Sequence, residues 1–333
     1  MKRNELRAML LEQPYDALVL TSEISRRYAT GFHSTAGAVY LSAKQAVFFT
    51  DFRYVEAAHA AIKDFEVREI KAGQSYSALI NELLDEDGAK KVALEDKTLT
   101  YAEFMSWGTA LHATAVRLED GVEQLRMCKE EDEVEKIVAA QRIAEQALEE
   151  VLNDIKVGVT EKEIAARLTY LMLHYGAENM SFDPIVVSGA NSSKPHGVPG
   201  EKTIQTGDFV TMDFGCIYDG YCSDMTRTVA VGHVTDEMQT VYDTVLNAQL
   251  AGIAACKAMG DGSGLPTREQ CRLIVMNTAS IQLLPTTVAA LRSSLGAQAP
   301  LDILPAVLLT SLVSVCAGLS ACLLLERRDS HGR

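Results

Sequence analysis

Charged side chains all but stop at residue 258, and that boundary limits what the chain can fold into more than any average does. Residues 1–258 hold 25 of the 31 Lys and Arg and 40 of the 45 Asp and Glu, a net of −15, whereas residues 259–333 hold 6 and 5 with no Lys. Stretches solvated so differently are expected in different environments. Leu273–Leu291 is 19 residues without a charge, and Ile303–Leu325 is 23, bounded by Asp302 and by Glu326-Arg327-Arg328. At about 1.5 Å per residue the second run is long enough to cross a hydrocarbon core of roughly 30 Å. It is read as a candidate membrane helix over 303–325 with a cytosolic C-terminus set by the Arg pair. The alternative is a buried helix of a large soluble domain. Asn277, Gln282 and Pro285 suit 273–291 to a broken or re-entrant segment rather than a simple lipid-facing helix.

The chain of 333 residues is long enough for two domains, and 47% hydrophobic with 23% charged residues is the balance of a folded protein. A formal charge of −14 argues against a nucleic-acid partner, because a phosphate backbone is held by concentrated Lys and Arg. The 7 Cys form no CxxC pair and no dense disulfide pattern, so reduced thiols are expected. Glu5, Glu12 and Asp16 interrupt any signal-peptide core, which predicts a cytoplasmic location for residues 1–258.

Residues 1–125 read as a small α/β domain. A helix near 2–13 precedes the strand Ala17–Leu20, and Ala38–Leu41 with Gln45–Thr50 form a hairpin around Ser42–Lys44. Strands at Phe65–Ile70, Val92–Leu94 and Thr114–Leu118 alternate with helices near 76–86 and 100–112. A second domain over 130–258 opens with a long helix from Glu131 to Ile155, whose apolar stripe is read through Val134, Ile137, Val138, Leu148, Val151, Leu152 and Ile155. Thr160 followed by Glu163 is a capping-box signal for a helix through His174. The period then changes to strands, at Pro184–Ser188, Asp208–Phe214 and Tyr221–Val231, before Thr235 caps a helix to about Lys257.

The candidate chemistry lies in the Thr211–Gly215 and Tyr221–Thr228 segments. If Asp219-Gly220 is a two-residue type I′ turn, Asp213 faces Thr226 and Asp224 is its diagonal same-face neighbour, roughly 7–8 Å away between Cβ atoms. Two carboxylates held together in a partly apolar sheet repel unless a cation compensates them. Metal ligation is one reading; a wet face, or pairing with Arg227, is the other. Two divalent ions would need more donors than these two, with a bound water as nucleophile. His196, between Pro195 and Gly197 in a polar loop, could donate to a substrate carbonyl or an intermediate, or be a surface histidine without that duty. The choice turns on whether that loop covers the face carrying Asp213 and Asp224.

At Tyr28–Phe32, Thr50–Tyr54, Glu178–Gly197, Asp208–Gly215 and Tyr221–Thr228 the chain resembles the creatinase/prolidase/Xaa-Pro aminopeptidase family, over residues 1–258. The resemblance implies an α/β creatinase-like N-terminal domain followed by an α+β "pita-bread" metallopeptidase domain, often in a homodimer. It implies two divalent metal ions, manganese or cobalt, with Asp213 and Asp224 as the first two ligands and His196 stabilising the intermediate. The implied substrate is a peptide with proline at its second position, cut before the proline. The family pattern also asks for a histidine in a Gly-His-Gly-type segment, a glutamate in a Glu-Pro-Gly-type segment and a final glutamate. After residue 258 the chain offers only His331, Glu269 and Glu326, without those contexts.

Three of five ligands are therefore expected to be missing, the pita-bread domain truncated to a half-domain, and the chain inactive as it stands. The tail over 259–333, through Asn277–Thr287 and Ala290–Arg292, resembles the C-terminal part of spore maturation protein A. This resemblance implies a hydrophobic helical, membrane-type tail joined near Lys257-Ala258-Met259. The alternatives to a peptidase are a membrane-associated, spore-maturation-like protein and the non-functional product of a chimeric gene.

Overall fold

In the computed structural model the described residues are 2–261 with Thr267 and Gln270. The chain divides into two units, Met1–Gly232 and His233–Arg333. The first unit starts with α1 (Lys2–Leu11), β1 (Ala17–Leu20), α2 (Glu23–Thr30), β2 (Ala38–Ser42), β3 (Ala46–Thr50), α3 (Val55–Ala61), β4 (Glu66–Glu69), α4 (Tyr76–Asp87), β5 (Lys91–Leu94), α5 (Tyr101–Ala110), β6 (Thr114–Arg117) and α6 (Gly121–Met127). The strands form one mixed sheet in the order β4-β3-β2-β1-β5-β6. Its central strands are buried on both faces: Leu18, Leu20, Val39 and Phe48 pack on one side, and Val19, Tyr40, Phe49 and Leu83 on the other. Each such large apolar side chain contributes about 1.5–3 kcal/mol relative to exposure, which is why these strands read as unbroken apolar runs. The expected strands and the helices near 76–86 and 100–112 are present. The short helices α2, α3 and α6 are additions; Ser22 caps α2 by accepting from the Ser25 N–H.

The unit continues with α7 (Glu131–Val151), α8 (Glu161–His174), β7 (Asn179–Met180), β8 (Ile185–Ser188), β9 (Phe209–Phe214), β10 (Cys216–Tyr218), β11 (Tyr221–Cys222) and β12 (Met225–Ala230). The capping box predicted at Thr160 is made in full with Glu163. The stripe expected on α7 differs. Its buried residues include Ala140, Ile143, Ala144, Ala147 and Val151, whereas Val134, Val138 and Leu152 are exposed. Small side chains let the helix backbone sit close to its neighbours, so the alanine face is the packed one. It shares a core with Leu168, Met212 and Phe214.

The expected single hairpin is also divided. β9 and β12 pair beside β8 in one sheet, while β10 and β11 pair beside β7 in another. The change comes at Gly215, where a Cβ would lie 1.9 Å from the Ser223 carbonyl oxygen. Only glycine permits that approach.

The second unit contributes α9 (Asp236–Ala258), capped by Thr235 as expected. Its length is sufficient for a membrane span, but Asp236, Glu237, Asp243 and Lys257 and several amides and hydroxyls interrupt its apolar character. Among the described residues no helix is long and apolar enough to cross a membrane. This corrects the expected fold class for the described residues, which hold no membrane-type helix, and the membrane partner, the localisation built on a membrane-associated chain and the sporulation role are withdrawn with it. The runs 273–291 and 303–325 themselves, with Glu269, Glu326 and His331, lie outside the described residues.

Candidate functional site

Asp213 is placed by the turn that the sequence predicts. Asp219 and Gly220 both have positive φ, 45° and 82°, the requirement of a type I′ turn whose twist matches its flanking strands. From that tip the register runs through Tyr218 opposite Tyr221 and Ile217 opposite Cys222, then past the Gly215 kink to Asp213 opposite Thr226. The Thr226 hydroxyl donates to Asp213 Oδ1 at 2.9 Å. Asp213 is half-buried; Asp224, immediately before β12, is exposed. Met225 between Asp224 and Thr226 is buried, so the alternation keeps the two acidic positions on one side of the sheet. Arg227 turns to the Thr226 carbonyl oxygen at 2.9 Å. Among the described residues it forms no ion pair with either carboxylate.

The loop carrying His196 lies on that same side. Ile185 pairs with Asp213 and Val187 with Thr211, and directly paired residues share a face. Gly197 sits against Val187 so closely that a Cβ would lie 2.5 Å from its Cγ1. The residue after His196 is therefore seated on the face that carries Asp213, while His196 itself is exposed.

Glu161 holds both ends of this loop, and the sequence offers no signal that separates it from an ordinary acidic residue in a first helical turn. It is fully buried. Its Oε1 accepts from the Ser188 N–H at 2.7 Å, the Ser188 hydroxyl at 3.0 Å and the Asn191 amide at 3.1 Å. Its Oε2 accepts from the Asn191 amide at 3.4 Å and the Gly200 N–H at 3.3 Å. Lys202 adds a bond to the Ser188 hydroxyl at 2.7 Å and an ion pair with Asp208 at 3.0 Å.

A second polar cluster holds the turn from the other domain. Arg27 on α2 donates twice to Glu178, at 3.0 and 2.9 Å, and once to Asp219 at 3.0 Å. The Arg27 bonds hold Glu178 below the usual carboxylate range. Burial pulls Asp219 up, but Lys136 and Arg27 pull it down further. Arg27, Lys136, Glu178 and Tyr221 line a cleft of about 770 Å³ that Asp213, Asp224 and His196 do not line.

The donor set decides what this arrangement can hold. Asp213 and Asp224 are two carboxylates, and a two-ion centre needs further donors, including a bridging one. Among the described residues no group of three or more His, Cys, Asp and Glu side chains is placed to hold a metal ion. The described residues therefore do not fit a complete dimetal site.

Comparison with known proteins gives two family matches, the creatinase/prolidase N-terminal domain over residues 2–128 and metallopeptidase family M24 over residues 135–265. The second runs past the expected seam at residues 257–259, and neither gives the tail a spore-maturation identity. The uncharacterized peptidase YqhT of Bacillus subtilis (strain 168) is 39% identical over 258 residues, 77% of this chain and 72% of that protein. The Xaa-Pro dipeptidase from Bacillus anthracis superposes with a TM-score of 0.75 at 39% identity, covering 84% of this chain and 78% of that one. The X-Pro aminopeptidase from Thermotoga maritima MSB8 gives 0.70 at 34% identity, covering 76% and 71%.

Proposed function

Because this chain belongs to metallopeptidase family M24, we propose that it carries the front part of a centre for hydrolysing the peptide bond before proline, and that it is not a working peptidase as it stands. The observation that supports this reading is one face of the β8-β9-β12 sheet: Asp213 and Asp224 lie on it and the His196 loop is seated over it, with no third ligating side chain placed beside them among the described residues. In this reading His196 would meet the carbonyl of a peptide with proline at its second position. Asp213 and Asp224 would offer manganese or cobalt a partial, weak site. The missing donors are the three ligands absent from the family contexts after residue 258, so no water-activating step is assigned to these residues.

The test is a titration calorimetry measurement with manganese alongside cleavage of a peptide with proline second. Weak manganese binding that Asp213→Asn reduces by about tenfold, about 1.4 kcal/mol, together with no cleavage above background, is the expected result. Manganese-dependent cleavage by the purified chain would overturn the inactivity. Binding unchanged in both Asp213→Asn and Asp224→Asn would remove these residues from the site.

A further inference from the structure

We propose that Glu161 is the positioning residue of the His196 loop, fixing where His196 stands over the Asp213 face. The proposal rests on the role given to His196 above. It goes beyond it by assigning a function to a side chain that touches neither substrate nor the acidic pair.

A carboxylate removed from water must be compensated, and every group bonded to the Glu161 carboxylate is a donor. Those donors are not scattered. Ser188 ends β8, Asn191 sits in the turn that follows it, and Gly200 closes the loop, so one carboxylate ties three points of a segment spanning 188–200. Lys202 fastens the far end again through the Ser188 hydroxyl. Between these ties Gly197 lies directly against Val187, which sets how close the Pro195-His196 turn stands to the sheet. A helix cap does not require this arrangement, because Thr160 and Glu163 already satisfy the start of α8 between themselves. The Glu161 carboxylate is thus free to serve the loop.

The discriminating variant is Glu161→Gln, which keeps the shape but turns an amide N–H₂ toward groups that are themselves donors. Amide hydrogen exchange of the purified full chain and the ring resonances of His196 in isotope-labelled protein are the readouts; neither needs metal or substrate. The expected result is exchange across 189–200 faster by about tenfold or more, with β1, β2 and α7 unchanged and the His196 resonances shifted. Should that variant fail to fold, Asn191→Ala takes the amide donor from both Glu161 oxygens and the acceptor from Lys194 while leaving the Ser188 and Gly200 bonds to the carboxylate in place, and should speed exchange in the same segment. Unchanged exchange and unchanged His196 resonances in a folded variant would overturn the proposal, as would acceleration spread evenly over the unit. Failure of the manganese experiment would leave this result intact, since the two share no measurement.

Discussion

Arg27 and Asp219 are 192 residues apart in sequence and 3.0 Å apart in the fold, joining α2 of the N-terminal domain to the tip of the hairpin that leads to Asp213. Gly220 makes room for this: a Cβ there would lie 2.6 Å from the Arg27 Nε. Glu178 and Asp219 are half exposed, so the charge-assisted bonds are weakened by solvent. Arg27→Ala is expected to cost about 1 kcal/mol in urea unfolding, with the loss shrinking at high salt. In a double-mutant cycle with Asp219→Ala the two should couple; strict additivity would show that the domains are held together by other contacts.

Glu133 is a second tie between the same domains and sets an acid limit on stability. Burial raises its proton affinity, but the Glu130 N–H, the Lys2 ammonium and the Tyr221 hydroxyl lower it further, leaving its pKa below the ordinary value. Lys2 lies at 2.8 Å and Tyr221 at 2.7 Å. A depressed carboxylate pKa contributes stability that is present above the unfolded value and lost as pH falls through the folded one. Unfolding free energies measured from neutral pH downward should therefore fall below about pH 5. Glu133→Gln should be less stable at neutral pH and should lose less on acidification. Parallel curves for the two proteins would show that Glu133 is not the titrating group.

Period and turn chemistry make most of the strand and helix order of residues 1–258 legible in the sequence. The alternation along 208–231 and the Asp219-Gly220 dipeptide together specify the pairing of Asp213 with Thr226, because a two-residue turn leaves no freedom of register. What they cannot convey is contact between distant segments. Gly215 looks like any strand glycine until Ser223 is seen against it, and Glu161 looks like a first-turn acid until Ser188, Asn191 and Gly200 converge on it. The α7 stripe departs from its sequence reading for a related reason: hydrophobicity favours valine over alanine, whereas close packing against a sheet favours the smaller side chain. An uncharged run in the tail likewise speaks of hydropathy alone and does not establish a membrane.

Gly215→Ala tests whether the kink is obligatory. The added methyl would fall at 1.9 Å from the Ser223 carbonyl oxygen, and that backbone cannot swing aside as a side chain could. The Cys216–Ser223 bonds on the far side, 2.9 Å from the Ser223 N–H to the Cys216 carbonyl and 3.0 Å from the Cys216 N–H to the Ser223 hydroxyl, would have to part. A loss of about 2–4 kcal/mol in denaturant unfolding is expected. A loss under about 0.5 kcal/mol, the range of ordinary surface changes, would mean that the two strands do not approach as described.

Gly197→Ala addresses the seat of the His196 loop, where the obstacle is a side chain and so can be removed. The new methyl would meet Val187 Cγ1 at 2.5 Å, which should cost about 1–2 kcal/mol as the loop lifts or the valine shifts. Val187→Ala alone should cost about 2 kcal/mol, because it leaves a gap in a buried position. If the loop rests on Val187, the alanine introduced at 197 fills part of that gap, and the double variant should be more stable than the sum of the two single losses implies. Denaturant unfolding of all four proteins measures the difference. Additive losses would mean that Gly197 and Val187 do not touch, and the placement of His196 over the Asp213 face would lose its structural basis.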